Sequence, residues 1–437
     1  MAEDGPQHVL LSTEAEILIE NLVKFPIKEI GSPRWQKQHE YLEKINMQSL
    51  VSASANEDEF VKELLISLGK VQFIIEDLIS IEVWKQFVFS VIVKTNFKPP
   101  TTIPIYMVLY HEATVANLLE TVCFHKEPLE SADETVLDLL DYCYRKLSSV
   151  VGETEEEEDE TTESSSTLDE LQKQARKMNF EIAVKAVSIL RYITDAIESL
   201  PLSTSGRLMN THNIPCLLVE LLEHPPWTKR RGGKLMKYID SQWQQVVGPD
   251  ALQLTKIEGQ VWLALYNVLM NPICISKYNF SSFNKEQILK LRSHMNEVLM
   301  DQLPVLGQLQ AYLQQLSMTE PAAPKSDLIL EQLPEVRDQI MRENTGKWKA
   351  IAKYQMKNFF NPKPEEIQQQ AQRLADTYNF DVIESLISEP PKCACCGAEA
   401  AKRCSRCKQE WYCKRECQVK QWEKHKKVCD VMKERST

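Results

Sequence analysis

Residues 393–429 read CACCGAEAAKRCSRCKQEWYCKRECQVKQWEKHKKVC, with the spacing C-x2-C-x7-C-x2-C-x5-C-x3-C-x7-H-x3-C. The ligand candidates are Cys393, Cys396, Cys404, Cys407, Cys413, Cys417, His425 and Cys429. Eight soft ligands supply two tetrahedral Zn2+ sites, since each ion takes four thiolates or imidazoles and two residues between cysteines is knuckle spacing. Of the chain's 12 cysteines, eight fall in this stretch, so chance scatter or disulfide pairing is disfavoured. Cys123, Cys143, Cys216 and Cys274 lie elsewhere. Cys413 and Cys417, like His425 and Cys429, are four residues apart, which puts each pair on one face of a short helix. Joining the first four cysteines in one site leaves a tight loop between the knuckles. Interleaving avoids it: Cys393, Cys396, Cys413 and Cys417 form site 1, and Cys404, Cys407, His425 and Cys429 form site 2. Cys395 is then a spare thiol.

Working outward, a chain of 437 residues exceeds one core and predicts two or three domains. Its 43% hydrophobic and 26% charged residues are those of an ordinary globular protein. The start, M-A-E-D-G-P, has no basic n-region, so no secretory leader is expected. Apolar runs such as 87–93 and 103–110 fall short of the roughly 20 residues that span a bilayer. Free thiols beside clustered metal ligands suit a reducing compartment. Residues 392–437 hold 13 Lys and Arg against 6 Asp and Glu, so the net charge of −11 divides into +7 there and −18 in residues 1–391. The cations of the tail either meet acidic partners or neutralise the thiolate-rich sites.

Residues 1–391 read as an all-α body. Helix is expected from a capping box at Thr13 and Glu16, with Ile17, Leu18, Leu22 and Val23 as its apolar face. Further helices are expected over 35–51, 57–68, 71–93, 107–124, 133–150 and 168–200. In 133–150 the apolar residues Val136, Leu137, Leu139, Leu140, Tyr142, Leu147 and Val150 follow a helical period. Val71, Val115 and Ile214 each open a φ-x-x-φ-φ segment. The first two lie 44 residues apart, a spacing that predicts an armadillo- or HEAT-like solenoid. Seven acids in 153–160 predict an exposed, unfolded spacer, and Pro225 to Gly248 reads as a long surface loop. The expected organisation is an N-terminal helical repeat region (1–150), an acidic linker (151–167), a second helical region (168–320), C-terminal helices (321–391) and the finger (392–430).

Catalytic patterns are missing: there is no G-x-x-x-x-G-K-[ST], H-E-x-x-H or G-x-S-x-G. His125 and Cys123 are read as a structural pair, and Cys216 and Cys274 as small buried hydrophobes. No enzymatic activity is expected.

The ligand spacing, the W-Y-C ending at Cys413 and the Gln418-x-x-x-Trp422 pair resemble the MYND-type zinc finger, an interleaved two-zinc module that binds short proline-containing peptides. The resemblance implies that Gln418 and Trp422 line the peptide groove, an amide meeting peptide backbone and an indole stacking on proline. Trp422 as cover for the small finger core is the other reading. The stretches F-P-I-K-E-I-G, L-E-K-I-N-M-Q, F-E-I-A-V-K-A-V-S-I-L-R-Y-I-T-D and H-N-I-P-C-L-L-V-E-L-L-E-H resemble a family of MYND-bearing ciliary factors that preassemble axonemal dynein arms. That resemblance implies a non-enzymatic cytoplasmic co-chaperone adaptor, with an apical or centriolar-satellite pool in ciliated cells. Its implied partners are a leucine-rich-repeat dynein assembly factor, Hsp90-type chaperones and dynein heavy-chain clients. The alternative is a nuclear MYND-type corepressor. The spacing of a DNA-reading two-Cys, two-His finger is absent, and no nucleic-acid partner is expected.

Overall fold

The computed structural model describes residues 9–434 apart from 57, 96, 152–166, 322, 323, 325–330, 364–366, 368–392, 397, 399, 401 and 407–409. The acidic tract 153–160 and most of the stretch before the finger therefore lie outside the described residues. One compact unit spans residues 8–372 and another holds the finger.

The body starts with α1 (Ser12–Glu20) and a 3-10 turn, Ile27–Glu29. Helix α1 begins one residue before Thr13, and Glu14 rather than Glu16 accepts from the Leu11 N–H at 3.1 Å. Its buried residues are Ala15 and Ile19, with Leu22 just beyond, while Ile17 is 59% exposed. The expected apolar face is thus rotated, because Ala15 is small enough to sit at the contact.

Units of three helices follow. The first is α2 (Pro33–Ala55), α3 (Phe60–Ser67) and α4 (Val71–Trp84), which continues through a π-helical turn, Lys85–Phe89, into α5 (Ser90–Val93). The second is α6 (Ile103–Val122), α7 (Lys126–Ser131) and α8 (Thr135–Val150). The third is α9 (Thr167–Asp195), α10 (Leu202–Gly206) and α11 (Ile214–Glu223). After a small sheet, β1 (Thr228–Arg231), β2 (Lys234–Ile239) and β3 (Gln242–Gln245), the last unit is α12 (Lys256–Met270), α13 (Pro272–Lys277) and α14 (Ser282–Leu289). Short helices α15 (Leu291–His294) and α16 (Glu297–Gln302) lead to α17 (Leu306–Met318), which packs on α12 and α14. Finally α18 (Val336–Asn344) and α19 (Trp348–Asn358) return to the first unit, α18 on α4 and α19 on α5.

First helices stack in the order α2, α6, α9, α12, and third helices in the order α4, α8, α11, α14. Polar bridges run between the first helices: Asn117 Nδ2 donates to Asn46 Oδ1 at 2.7 Å, Lys185 Nζ to Asn117 Oδ1 at 2.7 Å, Arg191 Nε to Gln260 Oε1 at 2.7 Å and Asn267 Nδ2 to Thr194 Oγ1 at 3.0 Å. These partners are separated by 71, 68, 69 and 73 residues. The 44-residue spacing therefore does not describe the stack. Val71 and Ile214 open third helices, whereas Val115 lies inside α6, a first helix. The φ-x-x-φ-φ pattern marks burial rather than position in a unit, so it equated helices of different kinds. Helix α9 packs on both α6 and α8, which joins the regions on either side of the acidic tract into one core.

Residues 225–248 are not a loop. Strands β1, β2 and β3 pair antiparallel in that order, Arg231 opposite Lys234 and Ile239 opposite Gln242. Gly232 and Gly233 have φ of +55° and +77°, the requirement of a type I′ hairpin turn, and Asp240 and Ser241 turn the second hairpin at +47° and +63°. The ribbon is held by aromatic contacts, Tyr238 and Trp243 on Phe180 of α9 at 5.0 and 5.7 Å. The body is thus helical with one small antiparallel sheet.

Helix α6 is buried along most of its length and carries a carboxylate, Glu112, with 0% exposure. Lys85 and Lys146 place their Nζ atoms 2.5 and 2.6 Å from it, and Tyr142 Oη donates at 2.9 Å. Burial alone raises the Glu112 pKa, but the two ammonium groups outweigh burial and hold it at about 2. Burial, with the charge of Lys146 adding to it, outweighs the attraction of Glu112 and Glu82 and draws Lys85 below its ordinary range. Next to it, His111 Nδ1 meets His39 Nδ1 at 2.7 Å and His111 Nε2 meets Asp77 at 2.7 Å. Burial, then the charge of His111, keeps the His39 pKa well below 6.5.

Gly31 sits where α19 ends against the N-terminal turn. Its φ is +87°, and a Cβ there would come 2.8 Å from Phe360 Cε1, with Phe360 fully buried. Gly31→Ala is expected to cost about 2–4 kcal/mol, the backbone strain adding to displacement of the ring. Urea denaturation of the full chain reads it; a change below about 0.5 kcal/mol contradicts the close approach.

Candidate metal centre

In the finger the backbone first makes a small ribbon, β4 (Lys402–Arg403) paired antiparallel with β5 (Trp411–Tyr412), Arg403 opposite Trp411. The N–H of Cys393 donates to Ala398 O at 2.7 Å, and that of Cys404 to Glu410 O at 2.8 Å. These knuckle hydrogen bonds turn both cysteine sulfurs inward. After Cys413 the chain enters α20 (Arg415–Glu434), which presents Cys417, His425 and Cys429 along one side.

The arrangement gathers two groups. Cys393, Cys396, Cys413 and Cys417 have their sulfurs within 4.8 Å of one another, as do the ligand atoms of Cys404, His425 and Cys429. Sulfur separations are 3.5 Å for Cys396–Cys413, 3.5 Å for Cys413–Cys417 and 3.8 Å for Cys396–Cys417. A tetrahedral ion with Zn–S bonds of about 2.3 Å places its sulfurs ~3.8 Å apart, so the first group fits zinc. In the second group His425 Nε2 lies 3.3 Å from Cys404 Sγ, and Cys404 Sγ lies 4.0 Å from Cys429 Sγ. A mixed N/S tetrahedron needs ~3.5 and ~3.8 Å. Cys407 lies outside the described residues. Among the protein groups alone, hydrogen bonding with Cys396 raises the Cys413 pKa and hydrogen bonding with Cys413 raises that of Cys417. A divalent cation reverses such crowding by binding thiolates outright. Bound there, zinc would supply a structural cross-link.

The pairing is interleaved: α20 gives Cys417 to one group and His425 and Cys429 to the other. Cys395 belongs to neither group. Tyr412 is 1% exposed and packs edge-on to His425 at 6.2 Å between ring centroids. Trp411 is only half-buried, and Arg403 lies over its ring at 4.4 Å. Gln418 and Trp422 are both half-buried on α20, and Trp422 packs on the finger core with its ring 5.9 Å from that of His425. The indole therefore serves as cover whatever else it does.

Other sequence candidates separate from this centre. His125 pairs with Glu59 at 2.9 Å rather than with Cys123, because Cys123 is turned into the core. Cys274 is fully buried, while Cys216 is half-buried with its sulfur 3.5 Å from Tyr278 Oη. The Arg403–Trp411 stack had no signature in the ligand spacing; it follows from their facing positions on the β4–β5 ribbon.

Two zinc sites on a ribbon and one shared helix define a MYND-finger protein, and the MYND finger family matches residues 393–429. The relation extends beyond the finger. The zinc finger MYND domain-containing protein 10 homolog of Drosophila melanogaster is 32% identical over 442 residues, covering 95% of this chain and 98% of that protein. The chain belongs to that family, the zinc finger MYND domain-containing protein 10 family. No solved structure matches it. Among the described residues, no helix is long and apolar enough to cross a membrane.

Proposed function

We propose that the chain is a non-enzymatic cytoplasmic adaptor and co-chaperone for assembly of axonemal dynein arms, with the finger as a peptide-docking module. The observation that carries this reading is the family relation over 95% of the chain, body and finger together. In this reading Cys407 completes the second zinc site as its fourth ligand. Gln418 offers its amide to a bound backbone, and the outer side of Trp422 stacks on proline. The body is an armadillo-like array of three-helix units that presents dynein heavy-chain clients and Hsp90-type chaperones. The finger takes a leucine-rich-repeat assembly factor. An apical or satellite pool in ciliated cells follows from the same role.

Gln418→Ala is the clean test, since Trp422→Ala also removes cover from the finger core. Affinity purification from ciliating cells should retain two zinc per chain and lose roughly tenfold of partner capture, the effect of one unmade buried hydrogen bond. Unchanged capture moves the groove elsewhere. Loss of dynein-assembly partners on deleting 392–437 supports the adaptor reading, and a predominantly nuclear protein sinks it.

A further inference from the structure

Residues 331–360 cross the body against the order of its units. Over the third unit, the Gln332 N–H donates to Ser203 Oγ at 3.0 Å, and Glu331 Oε1 lies 3.6 Å from where a Gly206 Cβ would stand. Over the second, Gln332 Nε2 donates to Glu134 and the Val336 N–H to Asp138 Oδ1 at 3.0 Å. At the first, Arg337 Nη2 donates to Gln86 Oε1 at 2.8 Å, and Trp348 stacks on Phe87 at 4.9 Å. The segment ends with Gln355, which accepts from Trp84 Nε1 at 2.8 Å and donates to Ile27 O at 2.8 Å, and with Phe360 in the pocket left by Gly31.

The two helices of this strap are held differently. Helix α19 buries Ile351, Ala352 and Gln355, whereas α18 buries none of its residues. Val336, Ile340 and Met341 only half-bury on the core. Gly346, with φ of +76° and open space about it, turns the chain between the two. Half-buried side chains give α18 little to set against the entropy of ordering it, about 1–2 kcal/mol per residue of backbone. The acceptor beneath it needs a donor nonetheless. Asp138 is 5% exposed, and burial pushes its carboxyl up to about 6 against the hydrogen bonds from the strap backbone. Leaving such a carboxylate unpaired is costly.

We infer that the face of α4, α8 and α10 beneath residues 331–344 is a docking surface whose present occupant is displaceable, and that it accepts a partner segment of the same chemistry. That segment is an extended stretch offering backbone and amide N–H groups to Asp138 and Glu134. It runs into an amphipathic helix with apolar residues spaced as Val336, Ile340 and Met341. The partner is selected because a donor-bearing backbone restores the hydrogen bonds that Asp138 loses when α18 lifts. Helix α19 stays in place as the anchor, so the strap remains tethered and competes at millimolar effective concentration. The inference rests on contacts within the body and stands apart from the adaptor reading.

The probe is a fluorescein-labelled peptide of residues 331–347, titrated into the full chain. Ile340→Asp with Met341→Asp should eject α18 without touching a fully buried side chain, and circular dichroism checks the body. Ejection is expected to tighten peptide binding at least tenfold over wild type, the masking set by the tethered competitor. Adding Asp138→Ala should abolish the gain. Equal binding by wild type and the ejected variant overturns the inference, as does binding that survives Asp138→Ala. Hydrogen exchange on wild type is independent of all variants: amides of 336–344 should exchange faster than those of 348–358, and equal protection refutes a displaceable strap.

Discussion

Cys404→Ala is expected to collapse the finger while leaving the body folded. Zinc measured on the purified full chain should fall from about two ions per chain to one or none, because a structural site missing a thiolate forfeits much of the roughly 10–16 kcal/mol of binding that is also folding energy. Cys404 is 1% exposed and touches both His425 and Cys429, so its sulfur is the hub of the second group. The loss should spread. Helix α20 also carries Cys417, and once its register is free the first group no longer closes. The body has its own core, running from Leu10 to Phe360, and its helical circular dichroism and melting midpoint should not move. Two ions retained by the variant would falsify the second site; a shifted body transition would show that the finger supports the repeats. A chelator should reproduce the finger's collapse in the unaltered chain.

Glu112→Gln is the second large effect, at about 3–5 kcal/mol, the usual cost of removing one partner from a buried ion network. The amide keeps the shape of the side chain and still accepts from Tyr142. It leaves Lys85 and Lys146 facing each other without the carboxylate that bridges them, at side-chain exposures of 13% and 8%. Denaturant titration measures the loss, and a change under about 1 kcal/mol contradicts the network. The same group sets a pH dependence. The folded pKa of Glu112, about 2, lies below its ordinary value of 4.5. Its stabilisation is therefore fully present above about pH 4.5 and is lost as pH falls toward 2. The Gln variant should lack that part of the acid sensitivity.

Much of the body was legible because helix periodicity reports burial directly. In α8, Val136, Leu137, Leu139, Leu140, Tyr142, Leu147 and Val150 were expected on one face, and all are buried. Each such side chain contributes roughly 1.5–3 kcal/mol, enough to fix the helix by its stripe alone. The length of the repeating unit was not legible in this way. In α6, nearly all-round burial produces an apolar pattern at any register, so Val115 matched Val71 without occupying an equivalent place. The hairpin at 228–245 was missed for another reason. Its strand residues are mostly basic or amide side chains, so alternation is faint, and Gly232-Gly233 reads equally as a loop and as a type I′ turn. What settles it is the aromatic contact of Tyr238 and Trp243 with Phe180, distant in sequence.

Seven of the eight expected ligands fall into the two expected groups, Cys407 lying outside the described residues, because tetrahedral chemistry constrains spacing more tightly than packing does. The site around it was legible only in part. Gln418 and Trp422 are one helical turn apart by sequence alone, but the indole's contact with His425 depends on how α20 lies on the β4–β5 ribbon.

The sharing of α20 between both ligand groups bears on inheritance as much as on chemistry. Missense changes as far apart in sequence as Cys393 and Cys429 act on one helix register, so they belong to one phenotypic class. Such alleles should fail to complement each other.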